Sequence, residues 1–380
     1  MAVTVSKAGP YYTGSSSISF SSLRSNFRAQ VKRTSSGESE SFNSDTSSIS
    51  ASDLLRTTRN TNTNPVVPNA TENANIVTSR SDWSASHFRN SIKFYYVILP
   101  SGDTVENFDI DSQSWNSNLS KNVNKVAFID GTCGSNDVTS PAATFNATAY
   151  NLTIDVSGSI LGAGGRGGGT SGAPAISGES GGNALSVTSS GGNNVVVNVK
   201  SGAQIYGGGG GGEKGETGSD GSAATCKKSQ KFTQVCQQGS FIQCPSGWNQ
   251  TGSGQDCCEW KRGCYANNWW KQCEEVLSTS TPQGGAGGNG GNGRGYNYQS
   301  GSLDGAEGGS VSCPSCPGGY SQSGGSCSSK GETGGLGGDW GSDGGDTNNT
   351  ENGGNSGRAI AGSNYSVTGS TGPTNIKGDY

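Results

Sequence analysis

Apolar positions in this chain come in short, widely spaced runs rather than in long periodic stretches. The strongest run, Ile92-Lys93-Phe94-Tyr95-Tyr96-Val97-Ile98-Leu99, is β-branched and aromatic and stops at the turn sequence Pro100-Ser101-Gly102-Asp103. A second runs from Val123 to Ile129 and ends at Asp130-Gly131, and a third, from Thr144 to Val156, supplies one or two more strands. Together they predict a small β-domain over residues 83–157, with Trp83, Phe94, Tyr96, Phe108, Trp115 and Phe128 as candidate core. The N-terminal part reads differently. Phe20, Leu23 and Phe27 would share one face of a short helix, with Arg24 and Arg28 opposite and serines before Leu23 to cap it. One or two turns are not stable alone. Residues 1–30 are therefore expected to dock on a neighbouring protein through Phe20, Leu23, Arg24 and Phe27, the alternative being a short surface helix of the same domain. Residues 31–82 have almost no apolar periodicity, contain Pro65 and Pro68, and read as an extended connector.

Beyond residue 158 the chain repeats itself. Leu152-Thr153-Ile154-Asp155-Val156-Ser157-Gly158-Ser159-Ile160 leads into a glycine run, and Val195-Val196-Val197-Asn198-Val199-Lys200-Ser201-Gly202-Ala203-Gln204-Ile205 leads into another. The unit is strand, Ser-Gly turn, isoleucine, glycine run, which indicates a repeat architecture. The runs keep a period of three: Gly162, Gly165, Gly168; Gly212, Gly215, Gly218, Gly221; Gly284, Gly287, Gly290, Gly293; Gly335, Gly338, Gly341, Gly344. Three residues per turn belongs to the polyproline-II helix, which has no internal hydrogen bonds and must find partners on its neighbours. Glycine lets such strands approach closely. A lattice of parallel-packed threefold strands near 162–172, 207–221, 284–295 and 331–345 is expected. Flexible Gly/Ser linkers would explain the composition but neither the period nor the repeated strands.

Composition supports the lattice. Only 29% of the 380 residues are hydrophobic and 65 are glycine, while 11 prolines are too few for collagen. A net charge of −4 offers nothing to a phosphate backbone, so no nucleic-acid partner is expected. No segment approaches the roughly 20 apolar residues of a membrane-spanning helix, and the opening MAVTVSKAGPYYTG lacks the apolar stretch of a secretory signal. Yet there are 11 cysteines, with ten between Cys226 and Cys327, the density of an extracellular disulfide framework.

Two resemblances connect these features. Ile18-Ser19-Phe20-Ser21-Ser22-Leu23-Arg24-Ser25-Asn26-Phe27 resembles a serine-rich segment near the start of tail and baseplate proteins of tailed phages. Residues 151–380, with the Ile-Tyr-Gly₆ phrase at 205–212, are similar to the polyglycine-II sandwich of fibre-tip adhesins in T-even-like phages. In those adhesins glycine strands are the scaffold and the loops between them bind receptor. The large cysteine-rich insert and the N-terminal arm depart from that pattern. The resemblance implies an adhesive virion protein of the tail fibre or baseplate tip, with other tail proteins and a host-surface receptor (a glycan or an outer-membrane protein) as partners. A homo-oligomer such as a trimer is expected. A phage protein assembled in the host cytoplasm, released by lysis and oxidised outside would reconcile the cysteines with the missing signal. A purely structural fibre or baseplate protein is the alternative, and a tail-spike depolymerase a more distant one.

The chemistry-bearing residues concentrate in two inserts, 222–280 and 311–328. The first holds Cys226, Cys236, Cys244, Cys257, Cys258, Cys264 and Cys273, the second Cys313, Cys316 and Cys327. Seven plus three is even and forces at least one bridge between the groups; at least four bridges are expected overall. Cys133 is left over and reads as a buried small hydrophobe. Cys313-Pro314-Ser315-Cys316 has zinc-knuckle spacing, but the second half of such a pattern is missing and the one histidine, His87, is distant. No metal or cofactor is expected. One histidine and scattered carboxylates give no catalytic constellation, so no enzyme is expected. Trp248, Trp260, Tyr265, Trp269 and Trp270 are candidate receptor contacts, with the insert's own core as the competing use. The expected fold is mainly β and irregular: an N-terminal extended docking arm, a small β-domain, and over 158–380 a glycine-rich polyglycine-II-like lattice with a disulfide-rich insert.

Overall fold

The computed structural model describes residues 7–12, 29–33, 40–44, 92–113, 124–147, 152–189, 195–235, 243–257, 267–300, 303–348 and 351–380. Regular structure among the described residues is strand only. The chain divides into two compact units: Met1–Lys214 with Gly290–Gly305 and Gly335–Tyr380, and Gly215–Asn289 with Ala306–Gly334.

The first unit is a parallel β-solenoid of three sheets. Its first sheet stacks Ile92–Leu99, Asn124–Ile129, Leu152–Val156, Val195–Val199 and Tyr365–Gly369 in parallel register. The second stacks Thr104–Glu106, Thr132–Gly134, Ser159–Leu161, Gln204–Tyr206 and Ile376–Lys377, and the third Phe108–Asp109, Ala143–Ala147, Leu185–Ser189 and Ile360–Ser363. Each coil visits the sheets in that order. Leu152 lies beside Lys125 and Ser159 beside Thr132, so the first two strands of consecutive coils superpose directly. The period-two alternation of 195–199 puts Val195, Val197 and Val199 inside, where they join Phe145, Leu152, Ile154, Ile160, Leu185, Ile205 and Ile360 in one buried cluster. Corners demand special backbones. Asn107 and Asn364 take positive φ there, which asparagine tolerates, and a Cβ at Gly158 would overlap the Gly131 carbonyl of the coil below. Cys133 is buried in the core as a free thiol, and that burial pushes its ionisation well above the ordinary range.

The glycine runs leave the solenoid between the second and third strands of a coil, at 162–184 and again from 207 to 359. Gly162, Gly165 and Gly168 donate to the carbonyls of Tyr206, Gly209 and Gly212, a hydrogen bond at every third residue. The run 207–214 is surrounded. Its N–H groups donate to three segments: Gly208 and Gly211 to Gly182 and Glu179, Gly209 and Gly212 to Arg294 and Gly291, Gly210 and Glu213 to Ser342 and Gly345. Its carbonyls accept from three more, through Gly165 and Gly168, Gly354 and Gly357, and Gly335 and Gly338. Over 207–212 these neighbours, at a threefold repeat, leave no room for side chains: a Cβ at Gly209 would overlap the Gly338 carbonyl, and one at Gly210 the Gly354 carbonyl. The neighbours run in both directions, 162–168 and 342–345 along the central run and the other four against it, so the expected parallel packing gives way to a mixed lattice. At its margins, side chains replace backbone acceptors; Asn292 Oδ1 accepts from Gly167 N at 2.9 Å and Asn297 Oδ1 from Gly164 N at 2.7 Å.

The second unit repeats the device on a smaller scale. Gly215, Gly218 and Gly221 donate to Gly288, Gly285 and Pro282, while Glu332 and Ser329 donate to Glu216 and Ser219. From this base rises an antiparallel sheet in the order Asn249–Cys257, Asn267–Ser278, Thr225–Val235, Ser321–Ser323. Its buried apolar residues among those described are Ala224, Cys226 and Cys273.

Three expectations change. The border expected at 157–158 falls inside a coil, at the corner between Leu152–Val156 and Ser159–Leu161, because the strand runs of 92–134 are earlier turns of the same solenoid without glycine runs. Part of the expected docking arm folds on its own chain: Lys7–Tyr12 pairs antiparallel with Ile92–Leu99 and covers the edge that the first coil would otherwise expose. Part of the expected connector forms a hairpin, Ala29–Arg33 with Glu40–Ser44. Of the candidate core aromatics, Phe108 and Phe128 are buried and Tyr96 is half-buried. The side chain of Phe94, like Trp83 and Trp115, lies outside the described residues, and aliphatic residues dominate the core.

Candidate functional site

Glycine walls present backbone and little else, whereas the sheet of the second unit carries rings and charged side chains. Its long strands mix polar residues with Thr, Val, Phe and Trp, and Cys226 and Cys273 within them are tied to other segments. Cys226 is bridged to Cys316, Cys244 to Cys273, and Cys313 to Cys327. The first joins the two cysteine groups, as the count required, and it consumes Cys316 while the third consumes Cys313, so the zinc-knuckle alternative is excluded by covalent pairing. Cys236, Cys258 and Cys264 lie outside the described residues, as does the side chain of Cys257. Closing the loop between Cys226 and Cys316, 90 residues apart in sequence, removes chain entropy worth about 4.6 kcal/mol.

The bridges frame two clusters of rings and lysines. On one face, Phe232 meets the edge of Trp248 with ring centroids 6.1 Å apart. The Lys228 ammonium lies 5.9 Å from the Trp248 ring and 5.5 Å from that of Tyr320. The Tyr320 hydroxyl donates to Glu275, and that carboxylate holds its ionisation above the ordinary tyrosine range. Trp248 is thus half-buried in the insert's own packing. On the other face, Trp270 lies over two glycines of the adjacent strand. A Cβ on Gly254 would meet its ring atoms at 2.6 Å and one on Gly252 at 3.6 Å. From the strand on the other side, the exposed Lys231 brings its ammonium to 4.5 Å from the Trp270 ring centre. Trp269 belongs to the same strand with its side chain outside the described residues, and Trp260 and Tyr265 lie outside them altogether, as do Phe20, Leu23, Arg24, Phe27 and His87.

A concavity of about 290 Å³ sits at the base of this sheet, bordered by Leu277, Thr279, Pro282, Pro314 and the Cys226 and Cys313 bridges. It follows from pairings that sequence spacing alone left open. Lys231, Gly252 and Gly254 were also missed. Their signal was a Gly-x-Gly step inside a strand, which clears one face for a neighbouring ring.

Among the described residues, two carboxylates of the first coil come together. Asp109 and Asp111 touch, and burial together with the Asp109 hydrogen bond raises Asp111 to about 6. Both are occupied with backbone: Asp109 Oδ1 accepts from Asp111 N at 3.2 Å and Ser112 N at 3.3 Å, and Asp111 Oδ2 accepts from Asn146 N at 3.4 Å. A contacting pair leaves no space for a sugar between the carboxyls, which glycoside hydrolysis needs. Among the described residues no His/Cys/Asp/Glu group could hold a metal ion.

No curated protein matches the chain. Among solved structures, it resembles the gp37–gp38 adhesin tip complex of the bacteriophage S16 long tail fibre, at 16% identity and a TM-score of 0.34, over 80% of this chain and 88% of that one. The family described as phage tail fibre adhesin Gp38 matches residues 93–380. That span takes in the whole solenoid core, the glycine lattice and the stapled sheet, and it makes this chain a member of the phage tail fibre adhesin Gp38 family.

Proposed function

We propose that, in this tail fibre adhesin, the second unit meets the host surface, with Trp248, Trp260, Tyr265, Trp269 and Trp270 as its contact residues. The observation that supports this most is the division of labour in the glycine regions: a lattice of backbone carries no side-chain code, and the stapled sheet sets rings on a rigid frame. Rigid aromatic surfaces bind with little ordering cost. The receptor is a glycan or an outer-membrane protein of the host, and the adhesin works by binding without catalysis.

The remaining partners belong to the fibre. The docking segment within residues 1–30, through Phe20, Leu23, Arg24 and Phe27, docks on another tail protein, and several identical chains, such as a trimer, share one tip. Assembly takes place in the host cytoplasm, and the cysteines oxidise after lysis. The inserts 222–280 and 311–328 act together as one binding module.

Adsorption of phage to host cells tests the reading. Deleting 222–280, or placing Ala at Trp260, Trp269 and Trp270 together, should slow adsorption at least tenfold while particles assemble with normal fibres. Wild-type adsorption by such particles would remove the second unit from host contact. Trp248→Ala needs a separate check of the Cys244–Cys273 bridge, because its ring also packs on Phe232.

A further inference from the structure

We propose that the concavity at the base of the stapled sheet is a subsite for an uncharged pyranose of the host surface. The inference rests on the host-contact reading above and adds to it a site and a ligand class.

Two segments form its walls, 277–282 at the end of the strand Asn267–Ser278 and 312–317 across from it. Each is tied to the frame. Thr279 N donates to the Ala224 carbonyl at 2.9 Å, and Thr279 Oγ1 accepts from Ala224 N at 2.8 Å. On the other side, Ser312 N donates to Ser328 Oγ at 2.9 Å, and Ser328 N donates to the Ser312 carbonyl at 2.8 Å. The Cys226–Cys316 and Cys313–Cys327 bridges clamp the same wall at two points. Walls held this way keep the site preformed, which spares a ligand the cost of ordering it. At about 290 Å³ it lies at the small end of ligand sites, which start near 300 Å³. That is room for a sugar ring and too little for a folded element of a partner.

The lining selects the ligand. Every lining residue is uncharged, its cysteines being bridged. A carboxylate or an ammonium entering here would lose water and gain no counter-charge. Part of the lining is apolar: Cys226 and Pro282 are buried, while Leu277 and Pro314 present carbon to the opening, Leu277 at 39% exposure. The rest is hydroxyl. Ser278 on one wall and Ser315 on the other are exposed, and neither side chain has a hydrogen-bond partner among the described residues. A purely apolar ligand would cover these hydroxyls and leave them unpaired, at a cost. A pyranose meets both demands, because its C–H face is apolar and its rim carries hydroxyls that donate and accept.

The full-length, oxidised adhesin should be titrated with methyl glucoside, galactoside and mannoside, each against the corresponding uronide, by saturation-transfer NMR. At least one neutral glycoside should bind, about tenfold or more tightly than its charged counterpart. Ser278→Ala with Ser315→Ala should weaken that binding about tenfold, the effect of losing two neutral hydrogen bonds. Ser315→Trp, which fills the opening, should abolish it, and so should dithiothreitol, which frees the 312–317 wall. Peptide mapping checks that each variant keeps the Cys226–Cys316 and Cys313–Cys327 bridges; should tryptophan break one, the alanine pair decides. No binding of any neutral glycoside, equal binding of the uronides, binding unchanged in the alanine pair, or binding only to an outer-membrane protein in nanodiscs would each overturn the subsite. Phage adsorption separates this from the broader reading. If deletion of 222–280 abolishes adsorption while no neutral glycoside binds, the pyranose subsite falls and the host-contact reading stands. If the deletion leaves adsorption intact, the host-contact reading falls and takes the host origin of the sugar with it, whatever the titration shows.

Discussion

The two units use the same glycine lattice and hold it in opposite ways. In the first, the lattice is rooted in a solenoid whose core runs from Val97 to Ile376 and needs no cross-link; its buried cysteine, Cys133, is a free thiol. In the second, the described buried apolar residues are Ala224, Cys226 and Cys273, and all three described disulfides are found there. Glycine strands lose more backbone entropy on ordering than any other residue type would. Apolar burial offsets that in one place, and restriction of the unfolded chain offsets it in the other.

Reduction should therefore split the molecule. With dithiothreitol, hydrogen exchange should rise by orders of magnitude across 225–278 and stay slow across 152–156 and 195–199. The 90-residue closure alone, at about 4.6 kcal/mol, is comparable to the whole stability of a marginal domain. Loss of protection in both units, or in neither, would break the comparison. The converse change is Phe145→Ala. This ring is fully buried in the solenoid, and its truncation should cost about 3–4 kcal/mol by chemical denaturation while leaving the second unit's bridges and exchange rates unaltered.

A smaller effect tests what the units share. Gly209→Ala in the first lattice and Gly288→Ala in the second should each destabilise by about 2–3 kcal/mol, because the new methyl would overlap the carbonyls of Gly338 and Ala306. Gly372, with nothing within 4 Å of the added carbon, is the control, and its alanine variant should stay within about 0.5 kcal/mol. If the control and the lattice positions respond alike, close backbone contact is not what holds the runs.

The smallest effect belongs to the solenoid's first coil. Asp111 is raised from 3.8 to about 6 by burial and by Asp109. A carboxyl raised on folding contributes stability that is full below pH 3.8 and lost as pH rises through about 6. Asp109 is lowered, chiefly by the Asp111 hydrogen bond, and acts in the opposite sense below its ordinary value. Asp111→Asn, which keeps a donor toward Asp109 at every pH, should raise the melting temperature by a degree or two at pH 7.5 and hardly at all at pH 4.5. A gain of the same size at both would refute the shared-proton account.

Much of this was legible in the residues. The Ser-Gly corner followed by isoleucine, at 157–160 and 201–205, marked the coil, and the spacing of Gly162, Gly165 and Gly168 marked the lattice hydrogen bonds one for one. The odd cysteine and the need for a bridge between the cysteine groups came from counting. The first two coils escaped notice because they lack glycine runs. The third strands of the later coils, Leu185–Ser189 and Ile360–Ser363, escaped because each returns from an excursion that in one case lasts from 207 to 359.

What the sequence determined alone was therefore local: where strands start and stop, where only glycine fits, and which cysteine stays outside the disulfide framework. The tertiary structure decided partners. A glycine run presents the same backbone on all sides, so nothing in its residues says that 207–214 takes six neighbours, or that four of them run against it. The solenoid decides, by fixing where each run departs and returns. Side-chain neighbours across a sheet were equally hidden, since Trp270 meets Gly252, Gly254 and Lys231 only once three distant segments share a register.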